Sequence, residues 1–229
     1  MKTVFEPERI RSYISEYRLE AIFAKPDALP LQLRVYAGGE LVLKEGDPLD
    51  GLYFQVSGRT KVSSSVGTGK SLLLRFCHPL SVFGDIELLQ KVVVQSEVEA
   101  VRETAFLYVR LQAVETALMQ DPPFLNALLR HLSYKLQTCT TASRINLLAT
   151  VEERLASYLL TTRMQNEFGR EIQTTHTQEI ASLIGTTPRH LNRVIRKLAD
   201  RNILGKGRNA LVVLDWERLD ALSNGLRYD

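Results

Sequence analysis

Cysteine is nearly absent: the 229 residues contain two, Cys77 and Cys139. Two thiols from one chain cannot build a four-thiolate metal or iron–sulfur site, and they exclude a disulfide-stapled secreted scaffold. A reducing cytoplasm is the expected compartment. The 4 histidines are scattered, and no Ser/His/Asp set, metal-ligand spacing or glycine-rich phosphate loop with its lysine occurs. No catalytic residue, metal or cofactor is therefore expected, and the chain is not read as an enzyme. Long apolar runs are also missing. The first twenty residues, MKTVFEPERIRSYISEYRLE, carry charges every few positions where a signal peptide has an apolar core, so no membrane association is expected. A net charge of +3 is too small to diagnose a polyanionic partner by itself, so only local clustering of charge can carry that argument.

What the chain does have is length for two domains and an ordinary share of core-forming residues, 45% hydrophobic. Residues 1 to about 30 read as one or two short helices, ended by Pro26 to Pro30. From Leu33 the rhythm changes to short runs of Val, Leu, Tyr and Phe, punctuated by glycine at 38, 39, 46, 51, 58, 67, 69 and 84. Short strands with glycine turns predict an antiparallel roll or barrel, closing near Val109. Pro122 or Pro123 can open a helix, and the next stretch places Leu125, Leu129, Leu132, Leu136, Cys139, Ser143 and Asn146 at spacings of four and three, the seam of a coiled coil. Packing within its own domain is the competing explanation; a position between two domains favours dimerisation. Thr150-Val151-Glu152-Glu153 has the pattern of a capping box, so a new helix starts there after a hinge at about 148–150.

Thr177 to Leu198 reads as two amphipathic helices, with Ile180, Leu183 and Ile184 on one and Leu191, Val194, Ile195 and Leu198 on the other. Between them Gly185 can take positive φ, Thr187 can cap and Pro188 suits the first helical turn. From Thr186 to Arg208 there are seven Lys or Arg against one acid, Asp200, a balance suited to a phosphate backbone. Glu171 to Thr174 is a candidate short strand before this unit, and Thr175 to Gln178 a candidate cap. After it, Ile203-Leu204 and Leu211 to Leu214 are candidate strands joined by a turn, a wing, and Trp216 to Leu222 a closing helix. Cys77 beside His78 reads as a packed thiol next to an exposed imidazole, since neighbours on a strand face opposite ways. His131 and His176 have no partner cluster and read as structural.

GELVLKEGD (residues 39–47), LYFQVSGRTKV (52–62) and VFGDIELL (82–89), followed by the long helix, the helix-turn-helix and the wing in that order, resemble the CRP/FNR family of bacterial regulators. The resemblance covers about Leu33 to Leu222. It implies an α+β fold: N-terminal helices plus an antiparallel, cyclic-nucleotide-binding-like β-roll over 1–118, a dimerisation helix over 119–148 and a winged helix-turn-helix over 149–229. It implies a homodimer that binds double-stranded DNA and works with RNA polymerase, the second helix entering the major groove of a near-palindromic site. Arg193 then matches a base-contacting arginine, while Thr187, His190 and Asn192 can reach bases or phosphates. Arg189 stands where many members have an acidic or small polar residue, so the half-site should depart from the familiar one. Arg196, Lys197, Lys206 and Arg208 fit phosphate contacts. A binding module whose helix-turn-helix does not read DNA is the competing function.

In the same resemblance, cyclic-nucleotide binders place a glutamate after the glycine of the FGE-like phrase and an Arg-Ser pair later. Here these positions are Gly84-Asp85 and Gln95-Ser96, so the phosphate-binding cation is missing. An unpaired buried phosphate costs several kcal/mol, by order of magnitude, and tight cyclic AMP binding is not expected. Arg75 or Arg102 could substitute. An effector site, if there is one, would use these four residues with Cys139 and Thr140; its ligand is unknown. Cys139 could also form an inter-subunit disulfide or simply pack. His176-Thr177-Gln178, Arg189-His190-Leu191 and Ile86 to Leu89 resemble the YeiL-like branch, and the architecture equally resembles Gram-positive virulence regulators with degenerate pockets.

Overall fold

The computed structural model describes residues 1–67, 69, 71–207 and 211–228, without the side chains of Asp27 and Lys206. The chain forms two compact units, one of residues 1–71 and 77–134, the other of 72–76 and 135–229.

The first unit opens with strand β1 (Lys2–Val4) and helix α1 (Pro7–Glu16), followed by two single 3-10 turns. The strands β2 (Gln32–Tyr36), β3 (Leu41–Leu43), β4 (Gly51–Ser57), β5 (Thr60–Ser65) and β7 (Ser81–Phe83) follow; between β5 and β7 in the chain is β6 (Ser71–Cys77), whose residues 72–76 belong to the second unit. After helix α2 (Asp85–Gln90) come β8 (Glu97–Ala100), β9 (Thr104–Arg110) and helix α3 (Leu111–Thr116). One sheet of the first unit runs β1-β2-β9-β4-β7 and the other contains β3-β8-β5 in that order. The pairs β1–β2, β2–β9, β9–β4, β4–β7, β3–β8 and β8–β5 are antiparallel, with Leu33 opposite Leu107 and Phe54 opposite Leu107 on its other side. The glycine-punctuated strands thus form the expected antiparallel roll.

Two details depart from the sequence expectation. Lys2 to Val4 is a strand paired with β2, Thr3 opposite Arg34, where only helices were expected. Three residues carry too little periodicity to announce a strand, and the open edge of β2 supplies the partner. Asp85 to Gln90 is helical, with Gly84 at φ 89° turning the chain from β7 into it. A Cβ at Gly84 would lie 2.9 Å from the carbonyl oxygen of Gly51, so the turn also needs glycine's lack of side chain.

The roll interior is aromatic, with Tyr36, Tyr53, Phe83, Phe106 and Tyr108 all buried. On the other side of the first sheet, Leu33, Phe54, Leu107 and Val109 pack with Phe23, Val114, Phe124 and Leu128. Cys77 is buried and His78 half-buried, close to the reading of that pair.

Helix α4 (Pro122–Leu148) has 27 residues and begins at Pro122, one of the two prolines expected to open it. Its residues to Tyr134 belong to the first unit, those from Lys135 to the second. The second unit continues with α5 (Val151–Met164), α6 (Glu167–Ile172), α7 (Thr177–Leu183), α8 (Pro188–Asp200), the antiparallel strands β10 (Leu204–Lys206) and β11 (Leu211–Val213), and α9 (Trp216–Leu222).

The break between α4 and α5 falls at residues 149–150, where Thr150 caps α5 with a full capping box: its Oγ1 accepts from Glu153 N at 3.3 Å, and Glu153 Oε2 accepts from Thr150 N at 2.7 Å. Residues 171–172 belong to a helix, not to a strand. Asn166 caps α6 by accepting from Gly169 N at 2.7 Å, and Phe168 and Ile172, four apart, are buried together. The 175–178 cap is also corrected. His176 precedes α7 without a side-chain cap; Thr174 Oγ1 instead accepts from His176 N and bonds to Glu179.

Candidate nucleic-acid interface

The reading unit is built by the turn between α7 and α8. Gly185 takes φ 65°, and Thr186 N returns to Ala181 O at 2.8 Å, which closes the end of α7. The last carbonyls of that helix are satisfied by side chains. Arg154 Nη1 donates to Ile184 O at 2.9 Å and Gly185 O at 3.0 Å, and Asn146 Nδ2 donates to Leu183 O at 3.0 Å. Thr187 then caps α8, its hydroxyl accepting from His190 N at 3.2 Å, with Pro188 in the first turn.

Leu191, Val194, Ile195 and Leu198 are buried against a core that includes Ile180, Ile184, Ile203 and Leu219. Burial of such side chains contributes about 2 kcal/mol each as an upper figure. Their burial fixes which face of α8 is left to solvent.

That face carries Arg189, Asn192, Arg193, Arg196 and Lys197, which with Thr187 and His190 line one open groove. The charges on it differ in how they are held. Lys197 is ion-paired with Glu152 on the first turn of α5, and the same carboxylate takes Arg201 at 2.7 Å. The side chains of Arg189, Asn192, Arg193 and Arg196 make no hydrogen bond or ion pair with any described residue. No acid lies in the first turn of α8, and its amide dipoles add positive potential there. Lys206 lies in β10, its side chain outside the description, and Arg208 lies outside the described residues. The Glu152 clamp could not be read from the sequence, because it joins residues 45 positions apart.

The remaining predicted residues lie elsewhere. Asp85 is buried, 2% exposed, with Oδ2 3.8 Å from His131 Nε2. Gln95 is exposed; its backbone N–H donates to Glu87 Oε1 at 2.9 Å and its amide to Val93 O at 2.7 Å. Ser96 is half-buried. Arg75 is committed within the second unit, to Glu171, Thr138 and Cys139. Arg102 is exposed. Along α4, Leu129 (62%), Leu136 (69%), Cys139, Thr140, Ser143 and Leu147 (82%) are exposed, whereas Leu125 and Leu132 are half-buried against the first unit's core. Asn146 points to the turn after α7 and accepts from Tyr228 OH at 2.7 Å. Burial pushes the Tyr228 phenol well above its ordinary pKa, so it stays a donor.

Among the described residues no cluster could hold a metal ion, and no helix is long and apolar enough to cross a membrane.

A roll followed by a long helix and a winged helix-turn-helix with an open cationic face defines a DNA-binding transcription regulator. Residues 33–121 match the cyclic nucleotide-binding domain and 153–222 the Crp-like helix-turn-helix domain. The chain is 25% identical over 186 residues to the CRP-like cAMP-activated global transcriptional regulator of Mycobacterium tuberculosis, covering 79% of this chain and 83% of that one. It is 22% identical to the regulatory protein YeiL of Escherichia coli O157:H7, covering 92% and 94%. FixK2 from Bradyrhizobium japonicum has a similar fold, with a TM-score of 0.66 and 23% identity over 85% of this chain and 98% of that one. The chain belongs to the CRP/FNR family of transcription regulators.

Proposed function

We propose that this regulator acts as a cytoplasmic homodimer, without catalytic activity, that places α8 of each copy in the major groove of one half of a near-palindromic site and works with RNA polymerase. In this reading residues 1–118 are the effector-type part, 119–148 the dimerising helix and 149–229 the DNA-binding part. The observation that carries it is the division of the α8 cations. Glu152 holds Lys197 and Arg201, while Arg189, Arg193 and Arg196 stand exposed and are paired with no described residue. Arg193 is the first choice for base contact, with Arg189, Asn192, His190 and Thr187 around it; Arg196 serves a phosphate, as do Lys206 and Arg208 on the wing. Lys197 reaches a phosphate only by leaving Glu152.

Dimerisation is supported by the apolar row of Leu129, Leu136 and Leu147, which the single chain leaves in water. The exposed Ile86, Leu89, Val92 and Val93 beside α2 add apolar surface to the first unit.

Cyclic AMP does not gate the protein in this reading, although the mycobacterial relative is named as cAMP-activated. A cyclic phosphate needs a cation where Gln95 stands, Arg75 is occupied elsewhere, and the Asp85 carboxylate is buried toward His131.

The test is duplex binding against ionic strength. A steep fall of affinity with salt on DNA carrying a symmetric site supports the reading, and its absence refutes it. Sedimentation of Leu129→Glu/Leu136→Glu checks the dimer: the variant should be monomeric with an intact fold. Calorimetry with cyclic AMP should show no binding at micromolar concentrations.

A further inference from the structure

From Pro188 to Lys197 the exposed face of α8 carries arginine and lysine donors, with Asn192 among them, and no carboxylate; Asp200, which lines the same groove from the last turn, is the first acid. Base edges differ in what they ask for. Guanine presents two acceptors that an arginine can meet bidentately, whereas the cytosine amino group is a donor that asks for an acceptor such as a carboxylate. An arginine-rich N-terminal half without carboxylates therefore suits guanine.

Spacing sharpens this. Arg189 and Arg193 are four residues apart, so they lie on one stripe about 6 Å apart along the helix axis. Successive bases on a strand are about 3.4 Å apart, so 6 Å is close to two base steps. Both arginines sit in the N-terminal half of α8, the part that enters the groove in this docking mode. Neither is tied to a described residue. Arg196 lies a further turn away, toward the end of the helix that Glu152 holds through Lys197 and Arg201.

We propose that Arg189 and Arg193 each bind a guanine, the two guanines lying two base-pair steps apart on the same strand, so that every half-site contains a G-N-G spacing. This rests on the reading of α8 as the DNA-contacting helix. It makes Arg189 a specificity-determining residue, in addition to the contact expected of Arg193.

The experiment is selection of bound duplexes from random DNA by the full chain, followed by the same selection with Arg189→Glu. The wild type should enrich a two-fold-related pair of half-sites with the spaced guanines, and changing either guanine should weaken binding at least about fivefold. Glutamate accepts from cytosine, so R189E should replace only the guanine facing residue 189 by cytosine and keep the rest of the site. Residue 189 is exposed, so its melting curve should match the wild type. Enriched sites without spaced guanines overturn the proposal while leaving α8 a DNA reader. Unchanged site preference in R189E, with weaker binding throughout, also overturns it and places Arg189 on a phosphate. If no duplex is enriched at low salt, the reading of α8 fails and the proposal fails with it.

Discussion

Arg75 Nη1 lies 3.1 Å from Glu171 Oε2, and both side chains are about nine-tenths buried. The same guanidinium donates to Thr138 Oγ1 at 2.9 Å and contacts Cys139 Sγ at 3.1 Å. The strand segment 72–76 is thus joined to α6 and α4 inside the second unit, and Leu73 N adds a bond to Ser182 Oγ at 2.8 Å. Removing one partner strands a buried charge. Arg75→Ala or Glu171→Ala should destabilise the second unit by about 3–5 kcal/mol, and Arg75→Met/Glu171→Leu by less than the two single changes together, because it removes both charges of this pair. Urea unfolding of the three variants checks this.

The capping box gives a pH signature. Glu153 is held below the ordinary carboxylate range, first by the Thr150 backbone N–H and then by the Thr150 hydroxyl. A depressed folded pKa adds stability that is present above the unfolded value, near 4.5, and is lost as pH falls through the folded value. The stability gap between wild type and Glu153→Gln should be full at pH 7 and close below pH 4.5, as read by thermal melting across pH. Thr150→Ala removes the reciprocal cap and should cost about 1 kcal/mol.

Gly185→Ala tests the turn. The added Cβ would meet Arg154 Nη1 at 3.4 Å and Asn146 Cβ at 3.5 Å, ordinary contact distances, so the cost comes from φ 65°. About 1–2 kcal/mol is expected, with Gly185→Asn milder, since asparagine tolerates this conformation. Melting temperatures of the two variants give the comparison.

The Glu152 clamp separates two cations one residue apart. Arg196 is paired with no described residue, so Arg196→Ala should lower the slope of log affinity against log salt by about one. Lys197→Ala should lower it by less, because Lys197 already has an anion beside it. Equal slope changes would show that DNA displaces Glu152.

The helix-turn-helix was legible because its signals are local: apolar residues three and four apart, Gly185 for the turn, and Thr187-Pro188 for the next start. The capping box at Thr150 was legible for the same reason. Residues 171–174 misled, because Ile172 and Thr174 favour a strand when read alone, while the deciding features are the Asn166 cap and the pairing of Phe168 with Ile172. Arg75 with Glu171 is separated by 96 residues, and no local pattern encodes such a contact. Along α4 the 4–3 spacing was visible, but which members face the protein and which face water depends on the roll's core, which takes up Leu125 and Leu132.

Asn146 accepts from Tyr228 and donates to the Leu183 carbonyl, so within the second unit the last turn of α4 is bonded across the break at 149–150 to the end of α7 and to the C-terminal segment. That joint is braced and is not a free swivel. In a dimer, one base pair inserted between half-sites shifts the second by about 3.4 Å and turns it by about 34°. A braced joint has little give for such a change. Spacer length should therefore be read almost as strictly as the bases themselves.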